Sequence, residues 1–551
     1  MWKLMFSYFL GFVACAAAAP SGSRASLHDT RNYGKIQWES CGDLGVNGTT
    51  ELECGSLAVP LDYTEPDSGK TLDLQILRAP APNQPSKGSV FFNFGGPGAS
   101  GIAEMSLMGS VLSVFVGGSY DIVNVVPRGT GSTLPFSCYT DKEERIRSNL
   151  RAPVATNASD VSLGEVWAEV KNKADACTHA QSETGALVGT AFTARDIMNV
   201  VDALEEDGKL RLWGQSYGTV LGSTLIAMFP DKIDKVLLDG VMDAQEYYHI
   251  NVGQVADADS AFSGFCSQCV DKKDICPIAG NRTAEELEED IYAAMEALKS
   301  EPIAVSVDGH GYIVDYAAIK GTIYNALYFP ATWPRLAEKL DIMFSGNITG
   351  ILTDLVAPLP ATPSAEASLG IKCSDNQSPL ETLEDALPGV HARAKLSKIG
   401  GDVVDFSALQ CARWGMPAKE QYTGDFRIKT ESPVLLVSTQ NDPNTPLVSA
   451  KKMSEGFEGS VVLEQEGYGH TITSQGSLCT IKAIMAYFSD GTLPEPNTIC
   501  EVAWLKAANK PMILLNSQAC MHDCLLQTEP SFVCYLLFAI CEQCSDGLQG
   551  I

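Results

Sequence analysis

The chain has 551 residues, 45% of them apolar and 19% charged, the composition of a folded globular protein rather than a disordered or coiled-coil one. That length exceeds one ordinary compact domain and is enough to bury a large core. A formal net charge of −28 argues against a nucleic-acid binder and against anionic membrane surfaces; its plain reading is solubility outside the cell, with a cationic ligand such as a free amino terminus as the alternative.

Residues 1–19 read as a cleaved signal peptide. Met1-Trp2-Lys3 is a short positive start, Leu4 to Ala19 is apolar, and small residues at Ala16 to Ala18 precede Pro20-Ser21-Gly22. A membrane anchor is the rival reading, but the run falls short of the ~18 or more apolar residues of a comfortable span, and Phe532 to Cys541 is shorter still. The expectation is a secreted chain with no stable membrane anchor. Cysteine usage agrees with an oxidising compartment. Proximity pairs Cys41 with Cys54, Cys138 with Cys177, Cys373 with Cys411 and Cys479 with Cys500. Cys266, Cys269 and Cys276 form an odd trio; the spacing of Cys266 and Cys269 is half a zinc site without a second half, so disulfide use is expected there and no metal. Secretion would make the sequons at Asn47, Asn157, Asn281, Asn347 and Asn376 glycosylation sites.

Short β-rich runs then recur along the chain. They are Val90 to Phe94, Ile122 to Val126, Leu210 to Trp213, Val236 to Leu238, Val434 to Val437 and Val461 to Leu463. Helical periodicity fills the intervals, at Thr193 to Leu204 and at Thr219 to Phe229, which Pro230 stops. Strands alternating with helices predict an α/β protein with a mostly parallel sheet covered on both faces. The rhythm breaks between about Gly240 and Asp425, where acidic helical stretches such as Thr283 to Leu298 and a Pro/Ala/Ser-rich passage from Ala357 to Ala367 predict an inserted helical cap. The expected organisation is a core over 30–240, the cap over 241–425, the rest of the core over 426–500, and a Cys-rich tail over 501–551.

The chemistry is carried by Gly214-Gln215-Ser216-Tyr217-Gly218, which fits G-x-S-x-G. In a nucleophile elbow the strand-to-helix turn is so sharp that small residues must flank the serine. This copy directly follows a predicted strand and opens a predicted helix. A serine hydroxyl needs a base and a carboxylate that orients the base. In the α/β-hydrolase fold these follow in the order serine, acid, histidine. Asp442 lies just past the strand at Val434 to Val437, and His470 just past Val461 to Leu463. Asp239, which ends an earlier strand, is the rival acid. An oxyanion hole needs two N–H donors, assigned to Tyr217 and to Gly96 in the Gly95-Gly96-Pro97-Gly98 loop. Pro97 has no N–H to offer. No cofactor or metal is called for.

Together these motifs resemble the tripeptidyl-aminopeptidase branch of the proline-iminopeptidase-like α/β-hydrolases, whose C-terminal piece is termed TAP-like. The matching elements run from Gly95-Gly96-Pro97-Gly98-Ala99-Ser100-Gly101 and Arg128-Gly129-Thr130-Gly131 through Trp213 to Thr219 and Leu238-Asp239-Gly240. They continue through Asp442 to Pro446, Gly469-His470-Thr471 and Gly491 to Pro494, so that the likeness covers roughly Gln37 to Cys500. Val126 and Phe94 depart from the pattern, standing where relatives usually carry an acidic residue and a His or Pro. The resemblance implies an α/β-hydrolase fold and an exopeptidase that binds a free amino terminus, releases a short N-terminal peptide or residue and forms an acyl-enzyme on Ser216. Cap carboxylates would hold that amine, with Glu246, Asp257 and Asp259 placed for it by position. The rival functions are an esterase or amidase acting on a small metabolite, and a catalytically silent binding protein on the same fold.

Overall fold

The computed structural model describes residues 34–502 apart from 43, 45–47, 49, 152–154, 250, 308–309 and 346–362. The expected signal peptide, nearly all of the Cys-rich tail, Asn47 and Asn347 therefore lie outside the described residues. The strands are β1 (Glu39–Ser40), β2 (Glu53–Pro60), β3 (Thr71–Ala79), β4 (Ser89–Asn93), β5 (Asp121–Val125), β6 (Leu210–Gln215) and β7 (Ile233–Asp239), then β8 (Ile303–Val307), β9 (His310–Val314), β10 (Leu435–Asn441), β11 (Val461–Tyr468) and β12 (Ile499–Cys500). Ten of them form one sheet in the order β1-β2-β3-β5-β4-β6-β7-β10-β11-β12. β1, β2, β3 and β5 pair antiparallel, whereas every pair from β5 through β4 to β12 is parallel. This is the α/β fold expected, with a mixed edge that sequence periodicity did not show.

The strands are apolar on both faces because helices cover both. Phe92, Trp213, Leu237 and Leu435 pack with Met105, Leu112 and Phe115 of the helix Ile102–Phe115 and with Ile484 and Phe488 of the helix Leu478–Asp490. Their chain neighbours Phe91, Leu212, Leu238 and Leu436 pack on the opposite face with Ile197 and Val201 of the helix Thr190–Ala203 and with Val220 and Leu221 of the helix Tyr217–Met228. Consecutive residues of a strand point to opposite faces, so these runs read as unbroken apolar stretches.

Successive connections leave β4 in opposite directions, β5 lying on one side of it and β6 on the other. In open parallel sheets such a switch point leaves a crevice at the carboxyl ends of the strands. The Gly95–Gly98 loop after β4 and Ser216 after β6 both stand at that crevice.

Between β7 and β10 lie helices and the β8–β9 hairpin, an element the helical reading of this stretch did not include. Helices Ala258–Asp271, Ala284–Ala297, Tyr316–Leu327 and Trp333–Ser345 bury Phe262, Phe265, Leu287, Ile323, Trp333 and Leu336 in a core of their own. The helix Pro363–Asp375 lies in the same stretch of chain, yet its Ala367, Leu369 and Ile371 join the sheet-side core. Among the described residues the disulfides are Cys41–Cys54, Cys138–Cys177, Cys269–Cys276, Cys373–Cys411 and Cys479–Cys500, leaving Cys266 as a buried thiol. Among the described residues no helix is long and apolar enough to cross a membrane.

Candidate active site

The elbow is built by crowding. A Cβ on Gly214 would stand 2.2 Å from the Gly218 carbonyl oxygen, and one on Gly218 would stand 2.7 Å from the Asn93 oxygen. Only glycines let β6 turn into its helix this tightly beside β4. Ser216 takes the strained turn, with φ 55° and ψ −121°, a region that ordinary side chains avoid and that recurs at functional sites. Ser216 is partly exposed at the N-terminus of the helix Tyr217–Met228, whose dipole favours negative charge there. Tyr217 is the first residue of that helix, so its N–H has no intrahelical acceptor.

The Gly95–Gly98 loop closes over the same spot. A Cβ on Gly95 would stand 2.9 Å from Ser216 Cβ and 3.3 Å from the Tyr217 nitrogen. Gly95 donates its N–H to Asn93 Oδ1 at 3.1 Å, while Gly96, at φ 105°, is exposed between buried neighbours. The structure thus brings Gly95 against Ser216 and Tyr217, with the exposed Gly96 next to it in the chain.

Asp442 is fully buried one residue past β10, and His470 is buried two residues past β11. His470 Nδ1 lies 3.0 and 3.1 Å from the two Asp442 oxygens. An Nδ1–H held by a carboxylate leaves Nε2 as the acceptor nitrogen, the tautomer a general base requires. Asp442 Oδ1 accepts the Asn444 and Thr445 N–H groups at 2.9 Å each, and Oδ2 accepts the Thr471 N–H at 2.9 Å. Burial pushes this carboxyl up, but His470 and Thr445 beside it outweigh that and hold it below the ordinary carboxylate range. The residue is fixed further by its backbone N–H, which donates to the Tyr328 carbonyl at 2.8 Å, and the imidazole by the Tyr328 ring, centroid to centroid at 5.0 Å.

One residue at this site, Thr445, escaped sequence reasoning, and the rival acid Asp239 takes a different place. Thr445 donates its hydroxyl to Asp442 Oδ2 at 2.6 Å, and its oxygen lies 3.1 Å from His470 Nδ1. It steadies Asp442 and His470 together, and only its place three residues after Asp442 could have signalled it. Asp239 is not the histidine's partner. Its carboxylate accepts the Ile472 N–H at 2.9 Å and the Gln215 amide at 2.7 Å, and burial pushes it up to about 6.

The three carboxylates singled out for an amine are occupied to different degrees. Glu246 Oε2 accepts the N–H groups of Val252 and Gly253, and Asp259 spends both oxygens on Ser397, Lys398 and Ile399. Asp257 gives one oxygen to the Leu447 N–H; burial, with repulsion from Asp442 adding, pushes it up to about 6. Of the sequons, Asn157 and Asn281 are exposed, whereas Asn376 is partly buried and donates its amide to the Cys411 carbonyl at 3.2 Å. Among the described residues no cluster of side chains is arranged to hold a metal ion. The Pro127–Phe136 loop, where Val126 departs from the family pattern, is anchored by the buried Arg128, bonded to Asp196 at 2.6 and 2.9 Å and to the Pro60 and Leu61 carbonyls.

Comparison with known proteins agrees with this geometry. Residues 397–500 match the family model described as TAP-like protein, the segment that holds Asp442 and His470. The chain is 28% identical over 527 residues to serine protease Hip1 of Mycobacterium tuberculosis, covering 91% of this chain and 97% of that one. It is 26% identical over 486 residues to a tripeptidyl aminopeptidase of Streptomyces lividans, covering 84% and 86%. It is also 29% identical over 520 residues to carboxylesterase B of Mycobacterium tuberculosis, covering 90% and 97%. A serine hydrolase structure from Cycloclasticus zankles aligns with a TM-score of 0.32 at 11% identity, over 79% of this chain and 98% of that one. The fold assignment rests instead on strand order, the switch point and the elbow. The chain is a serine hydrolase of the α/β-hydrolase fold carrying a TAP-like C-terminal segment.

Proposed function

We propose that this chain is a secreted aminopeptidase that releases short N-terminal peptides or residues through an acyl-enzyme on Ser216. The observation that carries the reading is the His470 imidazole held by Asp442 through Nδ1, while the loop that carries it and the Ser216 N–H both bond to Asp239 at the neighbouring strand end. His470 Nε2 takes the Ser216 proton as Oγ attacks the scissile carbonyl, and the Tyr217 and Gly96 N–H groups stabilise the oxyanion. His470 then protonates the leaving amine and activates water for deacylation. Asp442 holds the tautomer and offsets the charge on the imidazolium.

The peptide part of the reading draws on the names of the Hip1 and tripeptidyl aminopeptidase relatives. Asp257 is the amine-binding carboxylate we favour, because Glu246 already holds the Val252 and Gly253 N–H groups, Asp259 holds Ser397 to Ile399, and a cationic amine would offset the desolvation of Asp257. The helices between β7 and β10 would act as a cap over the opening. Secretion rests on residues 1–19 and the disulfides, and glycans are expected on Asn157 and Asn281 rather than on Asn376.

A second reading, an esterase or amidase for a small metabolite, is favoured by the carboxylesterase B relative. A panel of free and N-blocked peptidyl amides beside simple esters, with Ser216→Ala as control, separates the two. The aminopeptidase reading predicts that N-blocking abolishes cleavage; equal turnover of blocked and free peptides overturns it in favour of the esterase.

A further inference from the structure

The nucleophile and the base reach this site from opposite halves of the chain, Ser216 after β6 and His470 after β11. Hydrolysis needs their relative placement to be held to a fraction of an ångström. The Asp442–His470 pair fixes the base on its acid but makes no bond to the elbow. Asp239, the last residue of β7, is bonded to both sides. β7 lies between β6 and β10 in the sheet, so its end faces the elbow on one flank and the histidine loop on the other.

The bonds are specific. The Ser216 N–H donates to the Asp239 carbonyl at 2.9 Å. Asp239 Oδ1 accepts the Ile472 N–H at 2.9 Å, two residues beyond His470. Oδ2 accepts the Gln215 amide at 2.7 Å and the Trp213 indole at 3.3 Å, both on the strand that carries the elbow. In the histidine loop the consecutive N–H groups of Thr471 and Ile472 therefore go to different carboxylates, Asp442 and Asp239. Asp239 is fully buried, and a buried carboxylate is costly unless each oxygen is bonded.

We propose that Asp239 is a positioning residue that clamps the nucleophile elbow to the histidine loop and so sets the spacing between Ser216 and His470. It touches no reacting atom. Its carbonyl and Oδ2 hold the elbow side, Oδ1 holds the histidine side, and Asp442 independently orients the ring. The inference rests on the serine-hydrolase reading of Ser216.

Asp239→Ala and Asp239→Asn test it, by the rate of fluorophosphonate labelling at Ser216, by kcat and KM on a simple ester, and by melting temperature. Asp239→Ala cuts the clamp on both side-chain flanks and should slow labelling and kcat about 100-fold at little-changed KM. Asp239→Asn is isosteric and keeps one acceptor for Ile472, while a flipped Gln215 amide accepts from the new amide group. It should leave kcat about three- to tenfold below wild type, since the Trp213 N–H loses its acceptor, and it carries the test alone if the alanine variant does not fold. A kcat for Asp239→Asn equal to wild type, or a folded Asp239→Ala labelled as fast as wild type, overturns the inference. So does a loss confined to melting temperature, or a raised KM at unchanged kcat. A wild-type chain that takes no label overturns the serine-hydrolase reading and the clamp with it; a labelled wild type beside an equally fast Asp239→Ala overturns the clamp alone.

Discussion

The carboxyl rim of the sheet and the helical stretch between β7 and β10 are held by different means. At the rim, backbone groups do most of the fixing. Asp442 takes three N–H groups, His470 gives its own to Tyr328, and Ser216 gives its own to Asp239. In the helical stretch, buried ion pairs link the helices. Arg393 meets Asp405 at 2.6 Å and Lys320 meets Asp402 at 2.5 Å, with all four side chains nearly inaccessible. Buried pairs contribute little net stability but are costly to break singly. We read the contrast as chemistry at the rim and, in the helical stretch, ion pairs that fix the helices relative to one another. Changes at the rim should remove turnover without unfolding the chain, and changes in the helical stretch should do the reverse.

The largest effect is expected at the rim. Ser216→Ala and His470→Ala should each lower kcat by about 10⁴-fold or more, with melting temperatures near wild type. Ester turnover and differential scanning calorimetry on the same preparations check this, and a residual rate within tenfold of wild type would break the assignment. Thr445→Val should follow, since it removes a hydroxyl bonded to both Asp442 and His470. Losing a hydrogen bond to a charged group costs about 1.5–3 kcal/mol, so kcat should fall about 10- to 100-fold while KM holds. Steady-state kinetics that show only a KM change would contradict it.

In the helical stretch the sign reverses. Arg393→Met leaves Asp405 buried without its cation and should destabilise the fold by about 3–5 kcal/mol, read by urea unfolding. The labelling rate of the folded fraction should stay at the wild-type value. A variant as stable as wild type but slow to label would erase the distinction between the regions.

The smallest effect concerns pH and spans both regions. Burial pushes Asp375 up to about 7 and Asp239 and Asp257 each up to about 6. These groups bind protons more tightly folded than unfolded, so between about pH 7 and pH 4 the native chain holds the more protons. Their contribution to stability is greatest near the acid end of that window and is lost as pH rises through 6 and 7. Asp442, held low, works in the opposite sense, and its contribution fades as pH falls below the ordinary carboxylate range. Melting temperature should therefore rise from pH 8 toward pH 5. A melting temperature that climbs steadily with pH would show that these carboxyls are not buried.

The parallel strands were legible because burial on both faces writes them as unbroken apolar runs, as in Ser89–Asn93 and Leu210–Gln215. β2 escaped because only Leu57 and Val59 are buried in Glu53–Pro60, too few to set a period. The β8–β9 hairpin carried a readable signal, Asp308-Gly309 between two β-prone runs, hidden by the acidic helices around it. The site was legible where chemistry restricts residue type. G-x-S-x-G marked the elbow, and the few histidines left little choice of base. Asp239 was visible as a carboxylate at a strand end, but sequence could not decide between acid and clamp. That decision depends on where the Ile472 N–H points, which no local pattern encodes.

The most direct test of the account is the crystal structure of the chain after reaction with a small fluorophosphonate. The account predicts phosphorus bonded to Ser216 Oγ, with the phosphoryl oxygen about 2.7–3.1 Å from the Tyr217 and Gly96 nitrogens and the His470 ring still on Asp442. Phosphorus on another residue, or an oxygen turned away from the Gly95–Gly98 loop, would contradict it.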